Sequence, residues 1–353
     1  MPRWLYGMLV FGVGAVGAHF AGMSDLLVFA LAALGIIPIS GLIGQSTEAL
    51  AEHVGPKWGG LLNATFGNAA ELIIGIVAIN RGLLELVKAS VTGSIIRNLL
   101  LVLGMGFLVG GWKHGTLRFN RNEASHNSAM MMIALASLML PAAFAIADPK
   151  PDDIHQVSLG VAIVLIIIYG AYITYSLTER GGQELKGEVG PHDLAAEEPP
   201  WPVRTSLAVL IGATAATVIL AELLVGTVEH VAERAHLSEF FVGIILVPII
   251  GNVAEHFSAV LFAARNRADV TLAIAAGSST QVALMVAPLF VLLSYPLGNK
   301  MDLTFTPLEI IVVGSAGLLF FMISSDGETN WLEAFQLLGM YVLAGVVFFF
   351  LPT

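Results

Sequence analysis

The chain has 353 residues, 56% of them hydrophobic and only 12% charged, with a mean hydropathy of +0.83; a soluble domain carries about 25% charged residues, so this is the composition of an integral membrane protein. Its 16 Lys and Arg against 26 Asp and Glu leave a formal charge of −10, which argues against the basic surface that nucleic acid requires and suits cations better. Zero cysteines exclude disulfides, thiolate metal ligands and cysteine nucleophiles.

The first apolar stretch, about 4–22, follows Arg3 and ends "GAHFAG"; this also fits a cleaved signal peptide, although the run is long for one. Ten further spans follow at about 26–45, 61–80, 91–112, 128–147, 156–177, 204–227, 240–264, 270–295, 306–324 and 332–351. Each approaches the roughly 20 residues that cross about 30 Å of hydrocarbon as a helix, without the alternation of a membrane barrel. The expected fold is an all-α polytopic membrane protein of about 11 transmembrane helices. The longest hydrophilic stretch, "TERGGQELKGEVGPHDLAAEEPPWP" (Thr178 to Pro202), is rich in Gly, Pro and acids and reads as a linker. It divides the chain into a leading helix (1–25), a first five-helix repeat (26–178), an acidic linker (179–203) and a second five-helix repeat (204–353).

With a cytoplasmic N-terminus, Arg3, Lys57, Lys113, Arg118, Arg121, Arg180, Lys186, Arg204, Arg265 and Arg267 fall inside, and Arg81, Lys88, Lys150, Arg234 and Lys300 outside. The excess favours that orientation, with the linker also cytoplasmic. The short tails without targeting extensions point to a prokaryotic cell membrane.

Two motifs recur at one offset. Gly67, Asn68, Ala70 and Glu71 match Gly251, Asn252, Ala254 and Glu255 at 184 residues, and Gly93 and Ser94 match Gly277 and Ser278 at the same 184. A shared offset marks an internal repeat. Five spans per half force the second half to enter the membrane from the opposite side, so the repeats are expected to be inverted, the plan of many secondary transporters with midplane sites.

A carboxylate at the bilayer centre costs at least about 2.5–3.5 kcal/mol, so Glu71 and Glu255 need compensation by a proton or a bound cation. A group that accepts either can exchange one for the other. Asn68 and Asn252, three residues earlier on the same helical face, offer amide oxygens, and Gly67, Gly251 and Pro248 weaken the helix so that backbone carbonyls can turn toward a cavity. Oxygen ligands without sulfur suit Ca²⁺ and similar hard cations. The second motif adds Ser94, Asn98, Ser278, Ser279, Thr280 and Gln281, which either join the site or hydrogen-bond between close-packed helices. The i,i+4 acid pairs Glu48 with Glu52 and Glu229 with Glu233 read as cation entrances on opposite membrane faces or as solvated interfacial charge. His256 points about 100° away from Glu255 and reads as a packing residue. Asn63-Ala64-Thr65 matches a glycosylation sequon within a span and is taken as a chance match. Arg97, opposite Gln281 in the repeat, needs a partner that the sequence leaves unnamed.

"GLLNATFGNAAELIIGIVAI", "GSIIRNLLLVLG", "LSEFFVGIILVPIIGNVAEH" and "GSSTQVALMVAP" together resemble the calcium/proton exchanger family of the cation/calcium antiporter superfamily, over nearly the whole chain. The sodium/calcium branch carries a Gly-Thr-Ser and Pro-Glu pattern where both repeats here read Gly-Asn followed by Ala-Glu, which favours protons as the counter-ion. The resemblance implies one leading helix and two inverted five-helix bundles joined by an acidic cytoplasmic segment. It also implies cation binding by Glu71 and Glu255 with Asn68 and Asn252 beside them, and with Ser278 and Gln281 in the flanking polar patches. Arg97 departs from the small or polar residue that family members often carry there. The expectation is a Ca²⁺/H⁺ antiporter, not an enzyme, that exports cytoplasmic Ca²⁺ by alternating access. Its partners are Ca²⁺, protons and the lipid bilayer, without a cofactor, and a homo-oligomer is compatible with the sequence. A sodium/calcium exchanger, an Mn²⁺/H⁺ antiporter and an uncoupled channel are the alternatives; a membrane-embedded hydrolase is disfavoured because no nucleophile and base recur.

Overall fold

A computed structural model describes residues 3–54, 59, 62, 65–177 and 201–351. The acidic stretch 178–200, Lys57 and the Asn63-Ala64 half of the sequon lie outside the described residues. The helices, in chain order, are α1 (Trp4–Phe20), α2 (Asp25–Val54), α3 (Ala69–Asn80), α4 (Leu84–His114), α5 (Arg121–Ala147), α6 (Pro151–Leu177) and α7 (Val203–Ala235). They continue with α8, a pair Glu239–Val253 and Glu255–Ala264 bent by 70°, then α9 (Ala268–Ser294), α10 (Pro307–Ser324) and α11 (Trp331–Phe349). Among the described residues eight of these are each long and apolar enough to cross a membrane, α8 makes a ninth if its two halves count as one, and α1 and α3 are shorter apolar helices. Most expected spans coincide with helix, whereas 61–80 lies partly outside the described residues and its helix α3 starts only at Ala69; several helices run further than hydropathy indicated, because the polar ends pack on neighbours and remain hydrogen-bonded. Thus α2 continues through Glu48 and Glu52 to Val54, α7 continues through Glu229 and Glu233 to Ala235, and α4 begins at Leu84.

The last extension corrects one residue. Lys88, counted above as an outside loop cation, lies within α4 and is only 8% exposed. It pairs with Glu85 at 2.6 Å and Asp302 at 3.4 Å, which is how a lysine is kept in an apolar bundle.

Burial sorts the helices into two shells. In the most apolar windows of α4 and α9, 78% and 67% of residues are buried, against 22% in α6 and α11, so α4 and α9 form the centre. The outer helices turn Val13, Ile146, Ile163, Ile211, Ile311, Phe335 and Val342 outward. In water such a surface would be an aggregation patch; facing lipid it costs nothing. The chain is therefore an integral membrane protein.

Contacts recur with the halves exchanged. Helix α2 packs on the second half of α8 as α7 packs on α3, α4 meets α11 as α9 meets α6, and α5 packs on α9 as α10 packs on α4. Helices α2 and α7 form the broadest pair and run antiparallel, since Asp25 at the start of α2 lies 3.4 Å from His230 near the end of α7. Two short strands, β1 (Leu117–Arg118) and β2 (Glu328–Thr329), pair antiparallel with Leu117 opposite Thr329 and tie the loop after α4 to the loop after α10. Asn120 and Asn330 accept from backbone N–H groups of the first turns of α5 and α11, satisfying donors that helix starts leave unpaired.

Candidate cation site

Both sequence-matched asparagines break their helices. Asn68 (φ −106°, ψ 18°) stands before the first turn of α3, and Asn252 (φ −130°, ψ 19°) is the non-helical residue at the bend of α8. Glu71 and Glu255 therefore each lie in the first turn of a half-helix, where the dipole favours a carboxylate. Gly251 makes room for this: a Cβ there would come 3.3 Å from Glu71 Cγ.

The opposing wall comes from α4 and α9, each with π-helical turns, Arg97–Val102 and Val282–Val286. They begin one residue apart in the repeat alignment. A π turn resets the face that following side chains present and recurs at functional sites. Just before or at the start of these turns, Ser94, Arg97 and Asn98 of α4 and Ser278 and Gln281 of α9 stand around the two breaks.

Glu71, 5% exposed, is the hub. Its Oε1 accepts from Ser94 Oγ at 2.6 Å, Asn252 Nδ2 at 2.9 Å and Arg97 Nη2 at 3.4 Å. Asn68 Nδ2 donates to Gln281 Oε1 at 2.6 Å, and Asn98 Nδ2 donates to Ser278 Oγ at 2.9 Å. Asn98 Oδ1 in turn accepts from Arg97 Nε at 3.3 Å and Nη2 at 3.0 Å. Of the seven residues singled out from the sequence as cation ligands, Glu71, Asn252, Asn98 and Ser278 thus join one network through Arg97, Asn68 and Gln281 form a separate pair beside it, and three of these bonds cross between the halves. The seventh, Glu255, is partly buried, forms no hydrogen bond among the described residues, and stands close enough for its charge to act on Glu71 and Arg97.

Two acceptor oxygens in this cluster, Glu71 Oε2 and Asn68 Oδ1, are buried without a hydrogen-bond donor among the described residues. Buried acceptors are normally paired, and oxygens that are not have lone pairs available to a hard cation. No three carboxylate or imidazole side chains converge among the described residues, and the other oxygens beside the two carboxylates here are amide and hydroxyl oxygens. His256 Nε2 is buried with no hydrogen bond among the described residues, and Ser279 and Thr280 are buried on α9.

The entrance acids lie apart. Glu48 and Glu52 near the end of α2, and Glu229 and Glu233 near the end of α7, occupy opposite ends of that antiparallel pair. Glu239 at the start of α8 joins the second pair closely enough for like charges to be felt.

The structure adds residues that the sequence reading left aside. Arg97, 0% exposed, has its partners in Glu71 and Asn98. Glu309 on α10 accepts from Thr92 Oγ1 at 2.7 Å and closes a capping box with Thr306. Asp302, in the loop before α10, anchors Lys88. Burial would raise its carboxyl, but the Thr304 hydroxyl and N–H and the Lys88 ammonium outweigh it and hold it below the ordinary value. Glu85, Lys88 and Thr92 share one stripe of α4 at i, i+3 and i+7, a signal that marks a polar seam.

A family model described as sodium/calcium exchanger protein matches residues 24–178 and again 205–350. A Ca²⁺/H⁺ antiporter of Aphanothece halophytica is 39% identical over 99% of this chain and 96% of its own length. The Ca²⁺/H⁺ antiporter ChaA of Bacillus subtilis is 40% identical over 99% of this chain and 100% of its own. The crystal structure of the selenium-substituted Ca²⁺/H⁺ antiporter YfkE superposes with a TM-score of 0.86 at 36% identity, covering 99% of this chain and 100% of that one.

Proposed function

Because this chain belongs to the sodium/calcium exchanger protein family, we propose that it is a secondary antiporter that exchanges Ca²⁺ for protons, exporting cytoplasmic Ca²⁺ by alternating access between two inverted five-helix repeats. Glu71 and Glu255 hold the cation when ionised, with Asn68, Asn252, Asn98, Ser278, Gln281 and carbonyls at the helix breaks supplying neutral oxygens. Protonated, the two carboxyls are neutral and let the emptied site turn to the other side. Two carboxylates match a divalent charge that one leaves half compensated.

What supports this reading is the meeting of both halves on one buried carboxylate, with Asn252 Nδ2 2.9 Å from Glu71 Oε1 while Glu71 Oε2 has no donor among the described residues. An atom shared by two halves changes its surroundings whenever the halves rock, which is what alternating access requires. The matched spacing of the family model in residues 24–178 and 205–350 agrees with repeats of one ancestry. The excess of Lys and Arg on one set of loops favours a cytoplasmic N-terminus and linker, with Lys88 removed from the outside count. Relatives from a cyanobacterium and from Bacillus subtilis fit a prokaryotic cell membrane.

Proton and cation binding at one site are linked, so lowering the pH on one side weakens cation binding there. The test is Ca²⁺ uptake into everted vesicles under imposed pH or sodium gradients. Glu71→Gln and Glu255→Gln are each expected to abolish uptake driven by a pH gradient while the protein still inserts. Substantial proton-driven uptake by either variant refutes the assignment. Uptake driven by a sodium gradient alone identifies sodium as the counter-ion, the reading that the family's name carries, and Mn²⁺ in place of Ca²⁺ tests the choice of divalent cation.

A further inference from the structure

Arginine at position 97 is not demanded by the architecture. The equivalent residue of the second repeat is Gln281, a neutral side chain, at the same level of α9 ahead of the same kind of π turn. Arg97 is nevertheless wholly enclosed, with Nη2 3.4 Å from Glu71 Oε1. A guanidinium kept only for structure has its donors satisfied. Here Nη1 is buried with no acceptor among the described residues, and the hydroxyl of Tyr341 is likewise buried without a partner, on α11, the helix that packs against the π turn of α4. Tyr341 stands close enough for the Arg97 charge to act on it. The side chain thus rests between two stations. One is Glu71, 3.4 Å away, which Arg97 holds together with Asn98 Oδ1 at 3.0 Å; the other is the Tyr341 hydroxyl, which has no hydrogen-bond partner among the described residues.

We propose that Arg97 is a tethered cation that occupies Glu71 when no substrate is bound and is displaced toward Tyr341 when the transported cation arrives. This rests on the reading of Glu71 as part of the cation site. With Arg97 at Glu71, the two site carboxylates and the guanidinium carry a single net negative charge, and a divalent cation arriving beside an unmoved arginine would leave an uncompensated positive charge in a low-dielectric setting. Binding therefore includes the work of moving Arg97. The residue sets the cation affinity of this chain below that of the same site with a neutral side chain, such as the counterpart Gln281, and makes Tyr341 a positioning residue for the substrate-bound state.

The experiment measures the Ca²⁺ KM of pH-driven uptake in proteoliposomes, with Ca²⁺ equilibrium binding to the purified protein alongside. Arg97→Gln is expected to tighten both about tenfold, a typical coupling between contacting residues. Arg97→Lys, which keeps the charge but loses the forked donors, stays nearer the parent protein than Arg97→Gln does. Tyr341→Phe weakens Ca²⁺ several-fold in the parent protein, where Arg97 loses its second station, and adds nothing once Arg97 is Gln. A folded Arg97→Gln protein with unchanged or weaker Ca²⁺ binding overturns the proposal. If Arg97→Gln does not insert, Tyr341→Phe decides, and an unchanged KM there overturns it as well. Glu71→Gln separates the two levels: activity in that variant sinks the site reading itself, whereas an inactive Glu71→Gln beside an unresponsive Arg97→Gln sinks the tethered cation alone.

Discussion

Helix α4 crosses the first half of α8 so closely that Gly93 has no room for a side chain. A Cβ built there falls 2.0 Å from the carbonyl oxygen of Ile244 and 2.7 Å from its carbon, where real contacts begin above about 3 Å. Gly93→Ala therefore has to push the two backbones apart by roughly 1 Å, and no rotamer relieves it because the obstacle is main chain. Alanine is otherwise better than glycine in a helix by about 0.5–1 kcal/mol, and overpacking costs about 1–3 kcal/mol or more. The net expectation is a loss of about 1–2 kcal/mol. The same shift carries Ser94, the next residue, away from Glu71, and a 2.6 Å bond stretched by about 1 Å is no longer a hydrogen bond. The variant is expected to melt several degrees lower in detergent, at roughly 2–4 °C per kcal/mol, and to show a raised Ca²⁺ KM. Gly170→Ala on the exposed face of α6, where a new Cβ meets nothing within 4 Å, is the control and is expected to be neutral or slightly stabilising. A Gly93→Ala protein that melts and transports like its parent would refute the close crossing and the argument from it.

Asn252→Ala removes a donor to an ionised carboxylate, a bond worth about 1.5–3 kcal/mol, so the Ca²⁺ KM should rise roughly tenfold or more; uptake assays read this directly, and an unchanged KM separates Asn252 from the site. Asp302→Asn deprives Lys88 of one of its two carboxylates. Because the folded-state carboxyl of Asp302 is held below its ordinary value, its contribution to stability is present above the unfolded value of about 3.9 and is lost as pH falls through the lower folded value. Melting curves should therefore separate the parent from Asp302→Asn at pH 5–8 and converge in stronger acid; a gap that widens on acidification contradicts the pairing. Thr92→Val leaves Glu309 Oε1 without its 2.7 Å donor in a buried setting, a loss of about 1–3 kcal/mol, measurable as a lower melting temperature with transport by the folded fraction retained.

The candidate site was legible in sequence because its chemistry is duplicated. Glu71 and Glu255 are costly in lipid at either position alone, and their common offset with Gly93 and Gly277 turns two anomalies into one constellation, so Asn68, Asn252, Asn98, Ser278 and Gln281 could be named before any fold was known. Lys88 was misread for a local reason: hydropathy averages over a window, and a lysine near a span end looks like loop whether it faces solvent or an acid on another helix. Tyr341 carried no sign of a site, since an aromatic residue on an apolar helix is indistinguishable from core or lipid contact until its neighbour across the bundle is known.

Composition, apolar run length and glycine or asparagine breaks are properties of contiguous residues, so the sequence by itself determined the membrane class, the succession of apolar helices and the two asparagines at which helical geometry is interrupted. Which helices cross, and therefore that Arg97 rests on Glu71, that Gly93 abuts Ile244 and that Lys88 finds Asp302, depends on contacts between residues from 26 to 214 positions apart. No periodicity encodes those pairings. Only the packed bundle, in which every buried charge must find an opposite one, decided them.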